Sequence, residues 1–436
     1  MSAQPGARLL RAGLIEALTT LDVYKPFSRK GPLSPLVFFS SWPVSELPIQ
    51  TAFAEVALAA GLVRPQDLRS RRGQLGLALT AASVAGLVGV RRAADRVEGE
   101  LELALVDALG PHYREEIRRP TWPLEQPDQV KRPGAARSLL IRRQFAHGKD
   151  ISYGPHGKHN LLDVWRHEDL PKDAKSPVVL QVPGGAWVTG NKQNQAYPLM
   201  SHLAERGWVC VAMSYRLSPR ATWPEFLVDV KRAIAWIRAN IAEHGGDPDY
   251  IAITGGSAGG HLSALASLTA NDPAYQPGFE EVDTSVKAAV PLYGVYDWVD
   301  EARTGHSGLQ RMLERLVVKA KFADDPAPYR AASPLYQVRP DAPPTFLLHG
   351  TNDSLVPIEQ GRAFAKRLRE VSTSPVAFVE LPLAQHAFDF FGSVRAAATA
   401  QAIERFLGVI YGRDLAAGHG RAKALESGGV GPALLE

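Results

Sequence analysis

The stretch Tyr250-Ile251-Ala252-Ile253-Thr254-Gly255-Gly256-Ser257-Ala258-Gly259-Gly260 decides the fold. A short apolar run leads into a glycine-rich turn around one serine. A helical window over residues 260–270 follows. In that strand–turn–helix setting, G-x-S-x-G places a serine hydroxyl at a tight, strained bend. Side chains two positions before and after the serine would collide there, which is why glycine stands at both. A serine alone is a poor nucleophile; it needs a base and donors for the developing anion. The helix start supplies backbone N–H groups of the right dipole sign, that of Ala258 first among them. A phosphate loop would carry a lysine after its glycines, and none follows here.

Working outward, similar apolar runs recur at Val178–Val182, Trp208–Tyr215, Val286–Tyr293, Thr345–His349 and Val376–Leu381. Helical windows such as Leu227–Glu243 and Gly361–Val371 lie between them. Continuous apolar strands alternating with helices predict an α/β fold, with a mostly parallel sheet covered on both faces. Reactive residues in such sheets gather at the carboxyl ends of strands. Asp353 follows the TFLLH run and His386 follows the VAFVELP run, giving the chain order serine, acid, histidine. His386 would take the Ser257 proton and pass it to the leaving group, and Asp353 would orient the imidazole. Asp389 and Glu380 are rival acids; Asp389 lies after the histidine and breaks the usual order. Val182-Pro183-Gly184-Gly185-Ala186-Trp187 closes the Val178 strand. Its small residues let backbone N–H groups converge on one oxygen. Gly184, Gly185 and Ala186 are therefore the candidate oxyanion donors beside Ala258. Pro183 has no N–H and can only shape the loop.

These segments resemble the α/β-hydrolase superfamily, and within it the bacterial esterase and lipase branch related to hormone-sensitive lipase. Tyr215-Arg216-Leu217-Ser218-Pro219 resembles that branch's YRLAP motif, continued by Trp223-Pro224 and Asp229. Gly255–Gly260 resembles its GDSAGG box, with Gly256 in place of the aspartate. Pro183–Ala186 resembles its HGGG box, with Pro183 in place of the histidine. The likeness spans roughly residues 150–412. His349–Pro357 is more similar to the kynurenine-formamidase and dipeptidyl-peptidase branches. The segment with Ser41-Trp42 and Ser45-Glu46-Leu47-Pro48 is similar to the extension of actinobacterial carboxylesterases of the Lip group. The resemblance implies a serine carboxylic-ester hydrolase that forms an acyl-enzyme. An amidase or peptidase on the same machinery is the alternative, and a non-catalytic binding protein on a hydrolase fold a third.

The 436 residues divide into an N-terminal helical extension and linker (1–137), a catalytic domain (138–412) and a tail (413–436) expected to be disordered. Residues 1–20 do not read as a cleavable secretory signal, because Arg8, Arg11 and Glu16 break a short apolar run. Residues 35–63 are apolar but interrupted by Pro43 and Pro48. Residues 73–90 hold no charge and reach the length of a membrane span, with arginines at both flanks. Association with a membrane through residues 35–90 and packing on the catalytic domain are both compatible with this pattern, and part of residues 20–135 is expected to cap the active site. From Val90 to Leu109 the pattern becomes amphipathic and stops at Gly110-Pro111. Residues 304–332 are a further candidate for the cap.

The formal net charge of +4 is small for this length and gives no dense basic stripe, which argues against nucleic acid as a partner. The expected partner is a small-molecule or lipid acyl ester. One cysteine, Cys210, excludes an internal disulfide and any C-x-x-C metal or redox site. His156 and His159 lie in a Gly- and Lys-containing loop with no third ligand nearby. Neither a metal nor another cofactor is expected.

Overall fold

The computed structural model describes residues 4–122, 141–306 and 308–427. Among these, eight strands form one sheet: β1 (Ala146–Ser152), β2 (Leu161–Trp165), β3 (Ser176–Val182), β4 (Val209–Met213), β5 (Gly246–Gly256), β6 (Ala288–Leu292), β7 (Thr345–Gly350) and β8 (Val376–Leu381). The spatial order is β1-β2-β4-β3-β5-β6-β7-β8. β2 runs antiparallel to both β1 and β4, and every other neighbour pair is parallel. All residues of β3, β4, β6 and β7 are buried, as strands with helices on both faces must be.

Among the described residues the helices of nine residues or more are α1 (Ala7–Tyr24), α2 (Ser34–Glu46), α3 (Pro48–Leu62), α4 (Arg71–Leu109), α5 (Tyr197–Glu205), α6 (Glu225–Asn240), α7 (Ala258–Leu268), α8 (Ile358–Val371) and α9 (Val394–Ser427). Alternation along β3 assigns its two faces. Val178, Leu180 and Val182 pack with Phe226 and Ile234 of α6 and Leu262 of α7. Val179 packs in the opposite cluster, with Met200 of α5, Phe406 of α9, and Leu101 and Leu105 of α4. The C-terminal half of α4 therefore belongs to the core of the catalytic sheet.

Two of the expectations change. The uncharged run 73–90 and the amphipathic run 90–109 form one helix, α4, capped at its start by Ser70, whose Oγ accepts from Gly73 N. No glycine–proline breaker lies between them; what changes along α4 is what it packs against. Its N-terminal half crosses α1 at close range, where a Cβ on Gly13 would press on the Gly76 carbonyl and one on Gly76 on the Leu9 backbone. The tail expected to be unstructured from 413 continues α9 to Ser427, and Arg413 and Asp414 hold ion pairs with Glu116 and Lys287. The linker expected over 117–137 lies, beyond Trp122, outside the described residues. By length and hydropathy α4 is the one described helix able to cross a membrane, and a third of its most apolar window is buried within the protein.

Candidate active site

Ser257 sits between β5 and α7 with φ 58° and ψ −122°, the strained bend the glycine spacing predicts. A Cβ on Gly255 would fall 2.6 Å from the Val182 carbonyl oxygen, and one on Gly259 would strike the same atom. The two flanking glycines are thus imposed by the neighbouring strand. Gly256 has a different cause: a Cβ there would run into the Tyr293 hydroxyl. Tyr293 fills the space beside the box and packs edge-on to the His386 ring at 4.7 Å.

Asp353 follows β7 and His386 follows β8, and parallel pairing of those strands brings both turns to one edge. His386 Nδ1 lies 2.7 Å from Asp353 Oδ2. That contact places the Nδ1 proton toward the carboxylate and leaves Nε2 as the basic nitrogen. Asp353 Oδ1 accepts the N–H groups of Leu355 (2.9 Å) and Val356 (2.8 Å). His349 Nε2 is 3.3 Å from Oδ2. Burial pushes the Asp353 carboxyl up. The charge of His386 and the bonds from His349 and His386 outweigh burial and hold it well below the usual carboxylate range. The rival acids are engaged elsewhere. Asp389 accepts the Tyr293 hydroxyl, and Glu380 is paired with Arg362.

Ser257 and His386 line the same two cavities, of about 330 and 450 Å³. Ala186 lines both as well. The loop after β3 turns through three consecutive positive φ values: Gly185 at 128°, Ala186 at 51° and Trp187 at 61°. One candidate donor is corrected. Gly184 N donates to Gln195 Oε1 at 2.6 Å, so its N–H is not free for a substrate oxygen. Gln195 Nε2 returns a bond to the Gly184 carbonyl at 3.2 Å. Among the described residues no such partner takes the N–H of Gly185, Ala186 or Ala258.

Gln195 and Tyr293 carry no motif signal, and His349, though it opens the segment His349–Pro357, was like them not among the expected site residues. His261 is likewise unannounced. It accepts the Trp187 indole N–H at Nδ1 (3.2 Å) and donates from Nε2 to the Ala332 carbonyl (2.6 Å). The N-terminal helices also reach the site. The Phe38 ring stands 6.0 Å from His386, Trp42 Nε1 donates to the Ala387 carbonyl at 2.9 Å, and Gln385 Nε2 donates to Ser41 Oγ at 3.1 Å. Pro35 and Phe39 of α2 and Leu309 and Met312 of the 304–332 segment line the cavities, so both expected cap segments flank the opening.

With this geometry in hand, likeness to known proteins becomes informative. The BD-FAE family model matches residues 162–368. Over 94% of its length the chain is 49% identical to a probable carboxylic ester hydrolase, LipM, of Mycobacterium tuberculosis, and covers 94% of that protein. It is 50% identical to esterase LipQ of the same organism, over 77% of this chain and 80% of the relative. This chain belongs to the Lip-type family of carboxylic ester hydrolases. Among solved structures, Thermogutta terrifontis esterase 2 phosphonylated by sarin superposes with a TM-score of 0.51 at 25% identity, covering 59% of this chain and 92% of that one. The fold is the α/β-hydrolase fold. The Lip-type relatives match beyond the catalytic sheet. An alignment over 94% of the chain must extend well beyond the catalytic sheet into the N-terminal helices.

Proposed function

We propose that this Lip-type hydrolase cleaves carboxylic esters through an acyl-enzyme on Ser257, with His386 as general base and Asp353 as its partner. The 2.7 Å contact between His386 Nδ1 and Asp353 Oδ2, beside a cavity that Ser257 also lines, carries the reading. Ser257 Oγ attacks the ester carbonyl and its proton passes to His386 Nε2. Asp353 stabilises the imidazolium. The carbonyl oxygen gains charge and takes N–H groups of Gly185, Ala186 and Ala258. Collapse breaks the ester C–O bond, and the alcohol leaves with the proton from His386. Water then repeats the sequence on the acyl-serine, releasing the carboxylic acid and restoring Ser257.

The test is turnover of p-nitrophenyl butyrate by wild type and Ser257→Ala, with fluorophosphonate labelling in parallel. We expect the variant to lose about 10⁴-fold or more in kcat and all labelling. A variant that turns over at the wild-type rate overturns the assignment.

We also infer that the α1–α4 arm rests on an anionic lipid surface. Ile15, Leu36 and Phe53 are about two-thirds or more exposed, and Phe39, 66% exposed, is also part of the cavity wall. Large apolar side chains exposed on three helices, one of them also in the cavity wall, are what a lipid-facing surface would present.

A further inference from the structure

We propose that the active-site cleft has a second arm, apolar along most of its wall but reaching a buried carboxamide, that receives a hydroxyl-bearing part of a neutral ester, with Gln181 as its specificity residue; this rests on the esterase reading above. The two cavities share Ala186, Ser257, Leu355 and His386, so both open on the nucleophile. The smaller is walled mainly by apolar side chains, Val295, Leu309, Met312 and Val356 among them, together with His306 and Gln360, and suits a chain that is mostly hydrocarbon. The larger reaches the carboxyl ends of β3 and β5, where Gln181 and Thr254 stand side by side in the sheet. Thr254 precedes Ser257 by three residues, about 10 Å of strand. A group bound at Gln181 therefore sits several bonds from the ester carbonyl.

Gln181 is out of place as a core residue. Its side chain is 1% exposed on a central strand whose other residues are apolar from Pro177 to Val182. A carboxamide in such a setting is costly unless hydrogen-bonded. Its Oε1 has no partner among the described residues. Its neighbours have spent their own protons: Thr254 Oγ1 donates to the Val290 carbonyl at 2.7 Å, and the Tyr293 hydroxyl donates to Asp389. What remains at this end of the cavity is an uncharged carboxamide whose oxygen has no partner and whose N–H groups show none among the described residues. With no cation beside it among those residues, that group suits a neutral ligand able both to donate and to accept. A hydroxyl fits both ends of a carboxamide, because it can donate to Oε1 and accept from Nε2. The substrate class is thus a neutral ester with a hydroxyl on either its acyl or its alcohol portion.

Two matched pairs decide the matter by pH-stat titration: methyl hexanoate against methyl 6-hydroxyhexanoate, and hexyl acetate against 6-hydroxyhexyl acetate. Wild type is expected to favour the hydroxylated member of one pair by about tenfold in kcat/KM, and which pair shows it tells whether the acyl or the alcohol part enters the second arm. A hydroxyl acting only through its cost of desolvation would lower kcat/KM in both pairs. In Gln181→Leu the favoured ratio should fall to about one or below. If wild type prefers the plain ester in both pairs, or Gln181→Leu keeps the hydroxyl preference, the inference is overturned while the esterase reading stands. If wild type releases acid from none of the four esters or from p-nitrophenyl butyrate, the esterase reading fails and takes this inference with it. The wild-type comparison decides the first point even if Gln181→Leu does not fold.

Discussion

At the scale of single residues, the site compensates locally for each departure from its family's motifs. Pro183 stands where the resembling motif has histidine, so the loop loses an imidazole that could hold it. Gln195 supplies a replacement: its carboxamide bonds both the N–H and the carbonyl of Gly184. The bonded Gly184 carbonyl shares its peptide plane with the Gly185 N–H, so holding it orients that donor, and the bond to the Gly184 N–H holds the plane before it. Gln195 is a positioning residue in this reading. Gln195→Leu should lower kcat on p-nitrophenyl butyrate by roughly 10–100-fold, less than the 10²–10³ of deleting a donor outright, with KM changed far less. An unchanged kcat would show that the loop holds its shape unaided. Gly256 follows the same logic, since the volume an aspartate would need is taken by Tyr293.

At the scale of elements, α7 ties the nucleophile to its surroundings through His261, four residues after Ser257. Its ring stacks on Trp298 at 4.7 Å and bonds both Trp187, in the loop after β3, and Ala332, in the segment flanking the cavity. Burial pushes this imidazole down to about 3. In the unfolded chain it takes a proton near its ordinary 6.5. Between those values the unfolded state binds more protons, so this contribution to stability is complete above pH 6.5 and shrinks as pH falls toward 3. By pH 4 the loss is about 3 kcal/mol. His261→Gln can keep both hydrogen bonds without titrating. Its melting temperature should therefore fall less steeply than that of wild type between pH 6.5 and 4, and parallel curves would refute the assignment. Elements also show what was legible beforehand. The parallel strands from β3 onward announce themselves as apolar runs because both their faces are covered. β1 and β2 do not: β1 is a half-exposed edge, and β2 carries Asp163 inward, paired with Arg142 and Lys192. Ser257, Asp353 and His386 are legible because each ends a recognisable strand. Gln195, Gln181 and His261 are not, because their partners lie across the fold and no spacing encodes them.

At the scale of the whole molecule, the helical arm sorts its charges. Residues 1–72 hold nine Lys and Arg against five Asp and Glu. All five acids, Glu16, Asp22, Glu46, Glu55 and Asp67, are buried. Each has work inside the protein. Glu46 pairs with the buried Arg395 of α9, Glu16 accepts from Thr80, Glu55 from Ser83, and Asp22 and Asp67 take backbone N–H groups. The outer surface of residues 1–72 is left with cations, among them Arg8, Arg11, Lys25, Lys30, Arg64 and Arg69, interspersed with exposed Leu, Ile and Phe, whereas the exposed acids Asp95, Glu98, Glu100 and Asp107 lie on the later half of α4. Cations near an anionic bilayer gain about 1 kcal/mol each, and buried apolar side chains add to this. A water-facing surface has no need of that pairing. Flotation with vesicles tests it. Wild type should rise with phosphatidylglycerol-containing vesicles at 0.1 M salt, should do so much less with pure phosphatidylcholine, and should be partly released at 0.5 M salt. Ile15→Ser/Phe53→Ser should weaken flotation at both salt concentrations, because it removes the apolar half of the attraction. If wild type stays with the soluble fraction and instead elutes as a dimer that the double variant splits, the arm is a contact between two copies of this chain.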